Sequence, residues 1–315
     1  MTRVRRWVRY INAMFPPAML VPMGTAQLLS LYLGLQALTG IAPLHLGWRA
    51  VVGVATTVLW MLLIRLQDDI ADAATDIRLG RAGDPRYENR PVVRGEITTH
   101  ELRIMAAVTL GVLVALNAQR RQSAMLLALI FGLGVTWLGF RWFFIAALAR
   151  NPTPLAYLGR KALTILFGVY ACAVYWDEFG PLRPTGPIVL LLLAPIASVA
   201  AWETARKIRI PEDETEYGTY SKQLGWRKAA WLPALFVAAA AACLASVSAA
   251  AHRGSAWWYS AALGGAAALA IGACVRFRVS PTRARANLGR YVEIFGAVAY
   301  VGLVVTLAAD RGVAL

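Results

Sequence analysis

Four aspartates, Asp68, Asp69, Asp72 and Asp76, follow one another at steps of one, three and four residues, and no proline or glycine interrupts the chain from Leu59 to Leu79. The stretch is therefore expected to be helical. At 100° per residue Asp69, Asp72 and Asp76 sit within about 60° of one another, with Asp68 at the edge of the stripe. Like charges at i,i+3 and i,i+4 repel by a few tenths of a kcal/mol per pair. Acids near a helix C-terminus also oppose the macrodipole by roughly 0.3 to 1 kcal/mol each. A cation should offset both costs. Arg65, one turn before Asp69, can pair with one carboxylate and cannot neutralise four. A hard divalent ion can serve several: Mg2+ binds through one or two carboxylates and keeps positions for water and substrate phosphates. The plain alternative is a solvated acidic helix end.

A second charged stretch runs from Trp202 to Glu214, with Glu203, Arg206, Lys207 and Arg209 before Pro211 and Glu212, Asp213 and Glu214 after it. Pro211 should end or kink the helix. Two chemistries remain open here. Glu203 with one of the later acids can ligate metal through a loop, or Arg206, Lys207 and Arg209 can grip an anionic group directly as fixed cations. Glu203 and Lys207 can also simply pair at i,i+4, and the basic residues can serve lipid headgroups. Tyr220 and Lys222, further along the same loop, are placed either to close over a substrate or to anchor at the interface.

The elements that must hold these groups are membrane spans. Of 315 residues 58% are apolar and only 16% charged, far from the near-even apolar share and quarter charged share of soluble domains. The apolar residues fall in blocks of about 15 to 23, the length that crosses roughly 30 Å of hydrocarbon. Nine spans are expected, near 14–36, 50–76, 102–118, 123–140, 161–176, 187–207, 228–250, 255–275 and 290–309, in an all-α bundle that forms a single domain over 1–315. The first is read as a retained span, not a cleaved signal. With the N-terminus inside, 24 Lys and Arg fall on inner loops and six on outer ones. Cytoplasmic loops retain positive charge, so the expected orientation is N-in, C-out in a cell inner membrane, with the acidic helix ends facing the cytoplasm. The net charge of +15 is spread over these loops, so topology and anionic lipid explain it and nucleic acid is not expected as a partner. Cys172, Cys243 and Cys274 lie inside apolar blocks, and His45, His100 and His252 are scattered. This excludes a disulfide framework, a zinc site and a histidine dyad.

Asp68-Asp69-x-x-Asp72-x-x-x-Asp76 resembles the first aspartate-rich motif of the UbiA-type intramembrane prenyltransferases, and Asn89-Arg90-Pro91-Val92-Val93-Arg94-Gly95 is similar to the Arg-Pro segment that follows it there. The resemblance covers nearly the whole chain. It implies a UbiA-like bundle with cytoplasmic cap loops, in which Mg2+ on Asp68, Asp69, Asp72 and Asp76, with Glu203 standing for the second motif, binds the diphosphate of an allylic isoprenoid. Asp69, Asp72 and Asp76 are then catalytic, and Arg90, Lys161, Arg206, Lys207, Tyr220 and Lys222 bind diphosphate. Ionisation would pass the isoprenyl group to a hydrophobic or aromatic acceptor, with membrane lipid as surrounding partner. Arg160-Lys161 resembles a basic stretch before the family's fifth span, in reversed order. The second motif departs from the usual pattern, since Lys207 occupies the position of an acid.

Aromatic residues Trp142, Phe143, Phe144, Tyr170, Tyr175 and Trp176 are candidates for the wall of a tunnel that tolerates a carbocation. Asn12 matches the family's polar N-terminal position weakly. Two rival functions remain: a UbiA-type terpene cyclase, in which the cation closes on its own double bonds, and a cation transporter using the same carboxylates. Transporter sites lie near the bilayer midplane, whereas these acids cluster at one boundary.

Overall fold

The first twenty residues do not form one rod. In the computed structural model, which describes residues 3–84, 87–119, 122–141, 164–214, 219–252, 254 and 256–315, a helix α1 (Arg3–Met14) stops before Pro16 and α2 (Pro17–Leu38) starts on Pro17. The pair of prolines accounts for the break: Pro17 pushes Pro16 into extended backbone (φ −54, ψ 126) and itself suits a first helical position. The N-terminal arginines therefore belong to a separate short helix, where a flank of the first span was expected.

Among the described residues ten more α-helices follow: α3 (Trp48–Arg81), α4 (Thr99–Asn117), α5 (Ser123–Phe140), α6 (Ile165–Phe179), α7 (Gly186–Ala205), α8 (Tyr220–Leu224), α9 (Trp226–Ala229), α10 (Trp231–Ala251), α11 (Ala256–Val279) and α12 (Leu288–Arg311). Among the described residues eight segments are long and apolar enough to cross a membrane, built on α2, α3, α4, α5, α7, α10, α11 and α12. The expected span at 161–176 corresponds to α6, whose 15 described residues fall short of that length; residues 142–163 lie outside the described residues. The protein is a multi-pass membrane protein. Its outward face agrees, since Leu127, Phe131, Leu235 and Val305 are all more than half exposed, tolerable only where the surroundings are as apolar as they are.

α2 is the central helix. Leu28, Leu31, Tyr32, Leu33 and Leu35 are almost wholly buried, and α3, α6, α7 and α12 all pack on it. Trp60 of α3 fills the space over Gly132 of α5, where an added Cβ would come within 2.1 Å of the indole.

The two ends of the bundle are built differently. At one, Glu178 after the core of α6 takes Arg49 at 2.5 Å and His45 at 3.3 Å, and Asp177 accepts from the backbone N–H groups of Ala124 and Met125 to cap α5. There the two-residue strands β1 (Leu44–His45) and β2 (Val313–Ala314) pair in parallel and tie the chain end to the α2–α3 connection. The acidic stripe lies at the other end.

Candidate functional site

α3 runs unbroken for 34 residues through all four aspartates, about 51 Å at 1.5 Å per residue, so its last turns project beyond a hydrocarbon core of roughly 30 Å. The stripe divides between two neighbours. On one edge Asp69 accepts a 2.5 Å hydrogen bond from the Tyr10 hydroxyl of α1, and buried Asp76 pairs with Arg90. On the other edge Asp68 and the exposed Asp72 exert their charge on Lys207, just past the end of α7. The helical angles explain the split, since Asp68 and Asp72 precede Asp76 and Asp69 around the α3 surface.

Arg90 reaches Asp76 from the 87–97 connection, which folds back on the end of α3. Its guanidinium also lies over the Tyr87 ring, 4.8 Å from the centroid. Residue 80 makes the close approach workable: a Cβ on Gly80 would meet Val93 Cγ1 at 2.6 Å and the Tyr87 carbonyl carbon at 3.3 Å. Gly95 closes the turn with φ +70, a conformation suited to glycine. We expect Gly80→Val to push this connection off α3 and lower activity by about tenfold, an effect that follows from misplacing a charged group. Steady-state rates beside an unchanged helical circular-dichroism spectrum check it.

The end of α7 carries the opposite sign. Glu203, 1% exposed, accepts from Arg206 through both carboxylate oxygens at 2.6 and 3.1 Å, and Lys207 Nζ lies 3.1 Å from Oε1. Both oxygens of the carboxylate expected among the metal ligands are thus engaged by cations. Two of the three later acids are engaged too: Asp213 pairs with Arg283 at 2.7 Å, and Glu214 accepts from Thr219 through one oxygen at 2.5 Å, while Glu212 is exposed on the loop. At the end of α7 itself, the groups that meet α3 are therefore basic: Lys207 faces the charges of Asp68 and Asp72, and Arg206 shares the Trp202 ring with Arg65. Burial pushes the Lys207 ammonium down to about 7, partly offset by the attraction of Asp72 and Asp68, while Arg209 lowers it further.

The loop after α7 folds back over this cluster. Tyr220 donates its backbone N–H to the Lys207 carbonyl at 3.1 Å, and Ser221 Oγ accepts from the Arg209 N–H at 2.9 Å. Tyr220 is buried, and burial with the nearby Glu203 charge pushes its hydroxyl up to about 12. Lys222 is exposed at the start of α8. Arg65, which by spacing could pair with one carboxylate, has its guanidinium 5.8 Å from the Trp202 ring centroid, with Arg206 at 4.8 Å from the same centroid. Trp202 in turn donates to Glu293 at 3.0 Å. This layered contact joins the charged ends of α3, α7 and α12.

Lys161, Arg160, Trp142, Phe143 and Phe144 lie outside the described residues. Tyr170 and Tyr175 are buried, Trp176 is half exposed and Asn12 exposed. Tyr170 donates to Asn117 at 2.6 Å, and Asn117 donates to Thr56 at 2.8 Å, a satisfied polar chain between α3, α4 and α6. Three groups that matter here carried no spacing signal in the sequence: Tyr10, Gly80 and Trp202.

Among the described residues no three His, Cys, Asp or Glu side chains converge closely enough to hold a metal ion by themselves. A closed protein cage suits zinc or calcium. Mg2+ instead takes one or two carboxylates and fills its octahedron with water and phosphate oxygens, and the α3 stripe provides that donor set. The residues fit a divalent cation brought together with an anionic substrate.

No protein-family model matches the chain, and no curated protein matches it in sequence. Among solved structures, that of digeranylgeranylglyceryl phosphate synthase in membranes is similar, with TM-score 0.58 and 15% identity over 98% of this chain and 100% of that one. Two structures of a UbiA homolog from Archaeoglobus fulgidus are also similar. The one bound to DMAPP and Mg2+ has TM-score 0.49 and 17% identity over 92% of this chain and 98% of that one. The one bound to GPP and Mg2+ has TM-score 0.48 and 16% identity over 92% and 99%. The first likeness establishes the fold: the chain has the helical membrane bundle expected from the UbiA-type resemblance.

Proposed function

We propose that the chain is a Mg2+-dependent intramembrane prenyltransferase that transfers an isoprenyl group from an allylic diphosphate to a hydrophobic or aromatic acceptor and releases diphosphate. The observation that carries this reading is the meeting of two opposite charge fields at one end of an apolar bundle: the acidic stripe of α3 against Arg206 and Lys207 at the end of α7. A ligand that needs both a divalent cation and fixed basic groups is a diphosphate, and an apolar bundle beneath it suits an isoprenoid tail.

Asp69, Asp72 and Asp76, assisted by Asp68, would hold Mg2+, which when bound supplies Lewis-acid stabilisation of the leaving diphosphate. The protein's own groups do the rest. Lys207 and Arg206 are held in place by Glu203, which acts in this reading as their anchor and not as a metal ligand. Breaking the allylic carbon–oxygen bond moves negative charge onto the diphosphate, and cations fixed beforehand stabilise that charge without reorganising. Arg90, anchored on Asp76, adds a third cation. Tyr220, kept protonated by burial, can donate to a phosphate oxygen, and Lys222 lies at the rim of the same loop. Lys161, four positions before Ile165 in the sequence, is proposed as a further diphosphate contact. The orientation is N-in, which puts the charged end in the cytoplasm, where soluble diphosphates are available.

The test is incubation of the purified protein in lipid with a ladder of allylic diphosphates, with Mg2+ or with chelator, followed by mass spectrometry of the organic extract. A prenylated acceptor and Mg2+-dependent diphosphate release are expected, both abolished by chelator and restored by Mg2+. A cyclic hydrocarbon or alcohol formed without any acceptor would instead assign the protein as a cyclase. Liposomal uptake of intact diphosphate would assign it as a transporter.

A further inference from the structure

The aspartate nearest the N-terminal helix is held by an element that does not cross the membrane. α1 places Trp7, Tyr10, Ile11 and Met14 on one face, at i, i+3, i+4 and i+7, and this face belongs to a cluster with Leu66 and Ile70 of α3 and Leu102 and Met105 of α4. Arg6 adds an ion pair to Glu101 in the first turn of α4 at 2.6 Å. From the same face the Tyr10 hydroxyl donates to Asp69. The remainder of α1 is exposed and consists of Arg3, Val4, Arg5, Val8, Arg9, Asn12 and Ala13, with Val4 66% and Val8 53% exposed and no acidic residue in the helix.

Where α1 lies is fixed by its connection. Met14 is three residues from Pro17, the first residue of a membrane-spanning helix, so α1 cannot leave the membrane boundary. At 100° per residue the exposed Val4 and Val8 lie on one flank of α1, beside the Ile11 edge of the packed face, with Arg5 and Arg9 on their other side. An apolar flank beside a basic one is the pattern of a helix lying in the headgroup layer. The valines enter the acyl boundary, and the arginines meet phosphate groups, more favourably when the lipids are anionic.

We propose that α1 docks on anionic lipid through Arg5 and Arg9 and, so docked, presents Tyr10 to Asp69, making turnover depend on headgroup charge. Tyr10 is in this sense a positioning residue: its hydrogen bond occupies Asp69 Oδ2 and sets the direction of the other oxygen. The activity arm rests on the prenyltransferase reading; the docking arm does not.

The experiment uses the full chain in nanodiscs of phosphatidylcholine with increasing phosphatidylglycerol, and reads two quantities. One is turnover of the allylic diphosphate and the Mg2+ concentration giving half-maximal rate. The other is the immersion depth of a nitroxide on Val8→Cys in a chain whose three native cysteines are alanine. In the parent sequence turnover should rise roughly 5- to 10-fold with anionic lipid, within the usual range of a coupling between two sites, and the label should move to headgroup depth. Arg5→Gln with Arg9→Gln should flatten both responses. Tyr10→Phe should keep the label's response while turnover stays low and flat and more Mg2+ is needed for half-maximal rate. Parent turnover indifferent to anionic lipid, or a lipid response of turnover that survives in either variant, would overturn the proposal. A label that follows anionic lipid in a protein that turns over no diphosphate in any lipid would uphold the docking and sink the reading of the site.

Discussion

Asp72→Ala is expected to reduce turnover of an allylic diphosphate by about 10³-fold while leaving the protein folded. A preorganised charge lost from a transition state removes about that much rate. Asp72 is the informative aspartate because it is exposed. Asp76, by contrast, is buried against Arg90, and cutting it away would leave a cation without its partner and disturb the fold as well. Asp72→Asn, which keeps the shape and removes the charge, should be nearly as inactive as alanine. Diphosphate release measured beside thermal unfolding in detergent separates the two effects. Unchanged release in either variant would remove Asp72 from the site.

Lys207→Met should lower kcat/KM for the diphosphate by about 10²-fold, in line with the 2 to 5 kcal/mol seen when one partner of a buried charge pair is truncated. Arg206 still neutralises Glu203 in that variant, so the helix end should survive. The pH dependence is the sharper readout. Lys207 titrates near 7 in the folded protein, below its ordinary value of 10.5, because it is buried. It is charged below pH 7 and loses its proton as pH rises through 7. Since kcat/KM reports ionisations of the free enzyme, the parent should show a falling limb near pH 7. A bound anion favours the charged ammonium, so the corresponding limb in kcat should move to higher pH. Lys207→Arg, whose guanidinium stays protonated throughout, should remove the limb while keeping much of the rate.

What the residues disclosed in advance follows from the range of the interactions. The continuous α3 was legible because helix formation is local and nothing between Leu59 and Leu79 opposes it. The one-sided carboxylate stripe followed from the helical repeat. The pairing of Glu203 with Lys207 was legible as one of several i,i+4 options, and only packing decides that Arg206 joins them and that neither oxygen is left over. Pro16 and Pro17 marked the break between α1 and α2, but the long apolar run hid it. Tyr10 and Asp69 lie 59 positions apart, and Asp213 and Arg283 lie 70 apart; no periodicity encodes such contacts. Arg65 shows the same limit from the other side. Its spacing suited a pairing with Asp69, yet an aromatic ring from α7 offers its guanidinium a partly desolvated stacking surface.

The central claim is that the α3 carboxylates and the basic end of α7 together hold a divalent cation with a diphosphate. Mn2+ in place of Mg2+ makes this directly visible by electron paramagnetic resonance of the purified protein with a non-ionising thiolo analogue of an allylic diphosphate. A protein-bound Mn2+ signal should appear only when the analogue is present, and should be lost in Asp69→Asn with Asp72→Asn and weakened in Lys207→Met. The same bound signal in the doubly substituted protein, or no bound Mn2+ in the parent at saturating analogue, would contradict it.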